Sequence, residues 1–296
     1  MRRILSALVL LAVLGLATFW VVTRPRPVDP GLLAGLVPDA AHGEQVFWAG
    51  GCAACHADAD ATGAAKLVLK GGQRFASPFG TFLAPNISND ATAGIGAWTA
   101  LDLANAMLRG VSPEGSHYYP VFPYASYAKA TPQDVVDLRA FLATLPADPT
   151  PSQPHEVGFP FSIRALLGGW KFLFLKTDWV VGGELSQEEA RGRYLVEALG
   201  HCGECHTPRN ALGGMRLGRW LAGGPVPGGQ GNFPNITPAK LDWTVPDIVE
   251  YLNSGFTPSF DSAGGHMALV VQNTAHLPES DRRAIADYLK RVPPVE

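Results

Sequence analysis

The sequence predicts an all-α protein: one N-terminal apolar helix followed by two tandem copies of a small helical unit. Three observations carry this reading. An uncharged stretch runs from Ile4 to Val22, the pattern Cys-x-x-Cys-His occurs at 52–56 and again at 202–206, and apolar residues recur at helical spacing around each copy. No β-branched alternating run of useful length is present. The 296 residues suit two compact domains. A 47% hydrophobic and 17% charged composition excludes a disordered chain, and the 33 glycines follow no period of three, which excludes collagen. A net charge of −3 without a Lys/Arg run removes nucleic acid as a default partner.

The first element is the apolar stretch behind Arg2 and Arg3. Its 19 residues would rise about 28 Å as a helix, close to the ~30 Å hydrocarbon core of a bilayer. A cleavable signal has a shorter apolar core and a small-residue cleavage site. This stretch instead ends in Phe19-Trp20-Val21-Val22, so an uncleaved anchor is expected. Arginines stand on both flanks (Arg2, Arg3, Arg24 and Arg26) and leave the orientation open. Residues 1–30 are read as anchor and tether, 38–148 as the first unit, 149–184 as a linker and 185–296 as the second unit. Within the linker, Gly158 to Leu175 is strongly apolar but interrupted by Arg164, Lys171 and Gly168-Gly169. It is expected to be an inter-domain strap with its aromatic face buried; the alternative is a segment at the membrane surface or under a partner subunit.

The two units repeat each other element by element. Short helices, 43–49 and 188–199, precede the cysteine motifs. Pro85-Asn86-Ile87-Ser88 returns as Pro234-Asn235-Ile236-Thr237. Trp98-Thr99 with Asp102 opens a helix, as do Trp243-Thr244 with Asp247, and each unit closes on a further helix, 132–145 and 278–292.

Cys-x-x-Cys-His is the attachment signature of c-type haem. Cys52 and Cys55, and Cys202 and Cys205, each place two thiols on one helical turn for thioether bonds to one haem. His56 and His206 follow as proximal imidazoles. The zinc alternative needs cysteine pairs about 15–20 residues apart, and a thioredoxin-like pair needs βαβ surroundings. Neither condition is met, so two covalently bound haem c groups are expected. Haem c attachment takes place outside the bacterial cytoplasm, which settles the orientation.

The run from Gly200 to Asn210, preceded by Arg193-Tyr194-Leu195-Val196-Glu197, resembles the second haem domain of dihaem class I cytochromes c that serve as membrane-bound subunits of periplasmic alcohol- and sugar-type dehydrogenases. The first unit is similar to the same family through Phe79-Gly80-Thr81, Ala84-Pro85-Asn86-Ile87 and Gly110 to Gly115. The resemblance covers roughly residues 40–295. Relatives usually carry a third haem domain, so this chain is a shorter version. It implies two tandem class I cytochrome c domains and electron transfer from a dehydrogenase toward quinone, another cytochrome or a terminal oxidase at the inner membrane. It does not imply a substrate.

Axial ligation divides the two haems. Met267, in Gly264-Gly265-His266-Met267, matches the distal methionine loop and is expected to bind haem 2. The repeat-equivalent position in the first unit is Phe122, where relatives read Pro-Ala-Met-Pro-Tyr. The sixth ligand of haem 1 is therefore open among His117, Met107 and no protein ligand. Trp98, Trp243, Asn86, Asn235 and Arg209 are candidate donors to haem propionates. Two rival functions follow from an open haem 1: an enzyme acting on a small anion or peroxide, and a gas sensor.

Overall fold

A computed structural model describes the whole chain, residues 1–296, and it is mainly helical. Helix α1 (Arg2–Thr23) has a mean hydropathy of 2.5 over its most apolar window, none of which is buried, while its last residue, Thr23, is buried against the protein. It is the one helix long and apolar enough to cross a membrane.

The first unit contains α2 (Ala40–Ala49), α3 (Cys52–His56), α4 (Ala100–Arg109), α5 (Tyr124–Tyr127) and α6 (Pro132–Leu142). Helix α7 (Leu166–Phe174) lies in the linker. The second unit contains α8 (Gln187–Tyr194), α9 (Gly203–His206), α10 (Val245–Ser254), α11 (Gly265–Thr274) and α12 (Glu279–Arg291). Each unit also has a small antiparallel hairpin, β1 (Arg74–Ser77) with β2 (Gly80–Leu83), and β3 (Gly224–Pro225) with β4 (Asn232–Phe233). The sequence had offered no strand signal, because these strands are two to four residues long.

In both units the first and last helices cross at a glycine. A Cβ on Gly43 of α2 would lie 2.0 Å from the Asp137 carbonyl oxygen of α6; one on Gly192 of α8 would lie 1.9 Å from that of Ala284 on α12. Only glycine permits that approach, which lets the helices bury Phe47 and Val135 in one unit and Leu195 and Tyr288 in the other. Gly43 precedes its motif by one residue fewer than Gly192 does. A π-helical turn, Leu195–Leu199, absorbs the extra residue at the end of α8.

Helices α4 and α10 begin on identical devices. Thr99 and Thr244 accept from the N–H groups of Asp102 and Asp247, whose carboxylates accept in return from the threonine N–H groups. Both helices end on a left-handed glycine, Gly110 or Gly255.

One continuous apolar core runs through both units. Across the joint, the Trp48 and His276 rings stack with centroids 3.7 Å apart, the Tyr127 ring stands edge-on to that of His201 at 5.5 Å, and Ser126 donates to Glu204 over 2.9 Å.

The strap differs from its expectation. Trp170 and Phe174 of α7 face inward: the Trp170 indole donates to the Leu212 carbonyl, and Phe174 packs over Gly214. Phe159, Phe161 and Phe172 face solvent, with Phe159 83% exposed and Phe172 67% exposed. A short helix pinned along one face buries only the residues of that face, so the strap's aromatic side chains are divided between core and solvent.

Candidate haem sites

Each Cys-x-x-Cys-His motif forms a short helix whose entry residue has positive φ. Gly51 takes φ +64 before Cys52, and His201 takes φ +40 before Cys202. Neither cysteine pair forms a disulfide, so all four sulfurs are available for attachment. Before attachment, burial pushes the Cys52 and Cys202 thiols up to about 12 and those of Cys55 and Cys205 up to about 11.

The two histidines are held alike. His56 Nδ1–H donates to the Pro85 carbonyl over 2.8 Å, and His206 Nδ1–H donates to the Pro234 carbonyl over the same distance. A carbonyl only accepts, so the proton sits on Nδ1 and Nε2 keeps its lone pair. Burial lowers both pKa values and favours this neutral ring. The carbonyls of His56 and His206 accept from Gly71 and Gly223, over 2.8 and 2.7 Å. Those glycines have φ +75 and +76, and a Cβ on either would meet the backbone beside Pro85 or Pro234 at 2.5–2.9 Å. Motif helix, glycine turn and proline loop thus form a closed clamp, present twice. Two adjacent thiols and a tautomer-locked imidazole with a bare Nε2 are the donor set that haem c requires.

Asn86 and Asn235 are built into this clamp. The Asn86 amide donates to the carbonyls of Asp148 and Thr150, both over 2.8 Å, and its oxygen accepts from Ser88 N–H. Asn235 donates to the Val295 carbonyl over 2.7 Å and accepts from Thr237 N–H. The asparagines tie each proline loop to the segment leaving the last helix, and Asn86 has no donor left for a haem. Arg209 is engaged too: its guanidinium donates to the Gly213 carbonyl over 2.7 Å, to the Glu204 carbonyl over 2.9 Å and to the Glu204 carboxylate. Trp98 and Trp243 are half-buried against the core, Trp243 edge-on to Tyr251.

The distal sides differ. Matching bridges, Val111 to His117 and Phe256 to Ser262, together with hydrogen bonds from Tyr118 to Gly110 and from Ala263 to Gly255, keep the two units in one register up to this point. Carried onward, that register pairs Phe122 with Met267. Met267 lies in the first turn of α11 rather than in a loop, half-buried against the core. Phe122 lies outside a helix, with its ring 5.7 Å from Tyr118 and 5.8 Å from Tyr127.

His117 is engaged on both sides of its ring. Its Nε2–H donates to the Thr23 carbonyl at the end of α1 over 2.7 Å, and its Nδ1 accepts from Lys171 of α7 over 3.0 Å. Both ring nitrogens are used, so neither faces an iron in this arrangement. The sequence held no sign of this, because its partners are 94 and 54 positions away. Met107 is buried on α4 beside Leu103 and Leu108.

Comparison with known proteins agrees with the clamps. A family model for cytochrome c matches residues 40–146. The chain is 61% identical to a dihaem cytochrome c-type protein of Cereibacter sphaeroides over the full length of both. It is 36% identical to the fructose dehydrogenase cytochrome subunit of Gluconobacter japonicus, covering 98% of this chain and 60% of that one. It is 34% identical to the alcohol dehydrogenase (quinone) cytochrome c subunit of Gluconobacter oxydans, covering 86% of this chain and 54% of that one. The chain therefore spans little more than half of those dehydrogenase subunits. With its duplicated clamps and a full-length relative of the same design, the chain belongs to the dihaem cytochromes c: electron-transfer proteins carrying two covalently bound haem c groups.

Proposed function

We propose that this chain is a membrane-anchored periplasmic relay that takes electrons from a dehydrogenase and passes them to the respiratory chain, through quinone, another cytochrome or a terminal oxidase. Bound haem supplies one-electron chemistry at an iron whose potential follows its axial ligands. The protein holds the cofactors, sets their ligands and brings them close. Cys52, Cys55 and His56 would hold haem 1, and Cys202, Cys205 and His206 would hold haem 2, with Met267 its further candidate ligand. The carrying observation is the duplicated His–Pro clamp with the two motifs side by side. Tyr127 reaches Gly50 just before motif 1, and its ring lies 5.5 Å from that of His201, just before motif 2. The first test is a pyridine haemochrome assay: two haems per chain support the assignment, and one would overturn it.

The anchor reading rests on α1 and on how its end is held. The Thr23 carbonyl accepts from His117, and a Cβ on Gly168 of α7 would lie 2.3 Å from that same oxygen. A helix end built into the first domain suits a retained span better than a removed leader. Resemblance to dehydrogenase cytochrome subunits supports a dehydrogenase donor. Copurification of the chain with a dehydrogenase activity tests it; isolation alone from native membranes counts against it.

A second reading is favoured by one observation. Phe122 stands where the register calls for methionine, and His117 is fully engaged elsewhere. Haem 1 without a protein sixth ligand would bind small molecules and support small-anion or peroxide chemistry. Rapid binding of carbon monoxide to half the haem of the reduced protein supports it, and its absence points to Met107.

A further inference from the structure

Helix α1 ends where the strap begins to bulge from the protein. Gly168 of α7 presses on the Thr23 backbone, Lys171 donates to the carbonyls of Arg109 and Gly110 over 2.6 and 2.7 Å, and Trp170 and Phe174 are held by the 210–214 loop. Together Gly168, Trp170, Lys171 and Phe174 form the side of α7 that meets the rest of the protein. Further contacts fix the segment before it: Arg164 donates to the His117 carbonyl over 2.7 Å, and Tyr119 donates to the Phe161 carbonyl over 3.1 Å. The strap is thus immobilised, and its outer side is apolar. Phe159, Phe161, Ile163, Leu166, Phe172 and Leu173 are each more than 40% exposed. A patch of this density on a soluble face marks an interaction surface.

We infer that this outer face of the strap lies in the headgroup region of the bilayer and seats the first domain on the membrane, an inference that rests on α1 being a retained span. Two features select lipid as the occupant. The patch is continuous with the end of the apolar helix through the Gly168–Thr23 contact. Its charge also suits an anionic lipid surface: from Val157 to Thr177 there is no Asp or Glu, Lys176 is exposed at its end, and Arg24 and Arg26, just past the Thr23–Gly168 contact, are exposed as well. Aromatic and leucine side chains beside lysine and arginine are the composition of interfacial segments.

The test uses the full-length haem-loaded protein in vesicles of phosphatidylethanolamine and phosphatidylglycerol. One preparation contains a phospholipid with a photoreactive group at the headgroup, another a phospholipid with that group at the acyl terminus, and adducts are mapped by mass spectrometry. The inference expects headgroup-probe adducts on residues 159–173 and acyl-probe adducts on α1. In the exposed-face variant Phe159→Asn, Phe172→Asn, Leu173→Asn, the strap adducts should be lost while the α1 adducts remain. A strap free of adducts while α1 is labelled overturns the inference and leaves the anchor intact. Strap labelling unchanged in the variant overturns it also, as does a strap in native membranes that crosslinks to a protein chain and not to lipid. An α1 that is unlabelled or missing from the mature mass overturns the anchor reading itself.

Discussion

The two cytochrome units share one proximal scaffold and differ on the opposite side. His56–Pro85–Gly71 and His206–Pro234–Gly223 reproduce each other's hydrogen bonds to within about 0.1 Å, and so do the helix crossings at Gly43 and Gly192. Past the Val111–His117 and Phe256–Ser262 bridges the likeness lapses, to resume only at the closing helices α6 and α12. The first unit continues into Phe122 and the four-residue α5; the second continues into Met267 on the ten-residue α11. Proximal geometry is tightly constrained because a covalent attachment and an iron bond must both be satisfied. The distal side is where a potential is tuned, so it can diverge without loss of the fold.

The comparison can be broken most directly at the attachment sites. Cys202→Ala with Cys205→Ala should reduce the haem count from two to one per chain and melt much of the second unit, whose interior is organised around the motif; a haemochrome assay and circular dichroism read both. Unchanged haem content would mean that the second motif does not bind haem.

Met267→Ala should abolish the weak red charge-transfer band of an Fe(III)–methionine bond and lower one of two midpoint potentials, because a thioether raises potential. The reciprocal change, Phe122→Met, should raise the other potential and slow ligand binding at haem 1. If Phe122→Met changes neither while Met107→Ala shifts a potential, Met107 is the ligand and the units are more alike than their register suggests.

Gly43→Ala and Gly192→Ala probe what the units share. Each forces a methyl group into a carbonyl at about 2 Å, and each should cost roughly 3 kcal/mol, at the upper end for overpacked sites. Denaturant titrations of the haem-loaded protein should show similar losses. A loss confined to one variant would show that the crossings are not equivalent.

The smallest effect concerns His117, which Ser262 replaces in the second unit. Burial first, and the Lys171 ammonium second, hold its pKa below the usual ~6.5. The folded protein therefore takes up this proton at lower pH than the unfolded chain does. Its stabilisation is present in full above about pH 6.5 and declines as pH falls toward the folded pKa. Other buried histidines act in the same direction, so the informative quantity is a difference. His117→Gln should give a flatter dependence of Tm on pH between about 7 and 5, with a stability loss near neutrality of about 1 kcal/mol. Parallel curves for the two proteins would dissociate His117 from this pH response.

Much of this was legible in the chain itself. Two Cys-x-x-Cys-His motifs, the Pro-Asn-Ile repeat, the Trp-Thr helix starts and the apolar N-terminus are local patterns, each determined by a few adjacent residues. They sufficed to specify the helical units, the haem chemistry and the distinct position of Phe122. Tertiary structure decided whatever depended on distant partners. Asn86 was a plausible propionate donor until residues 62 and 64 positions away took its amide protons. His117 was a candidate ligand until the end of α1 and the strap took both of its nitrogens. The strap's hydrophobicity was plain, but which of its faces is covered depended on Thr23, Leu212 and Gly214, far away in sequence. A polar side chain's role is set by the partners that the fold brings within its reach, and a helix's exposed face by what packs on the other. Neither is a property of a sequence window, so these two points only the folded chain could determine.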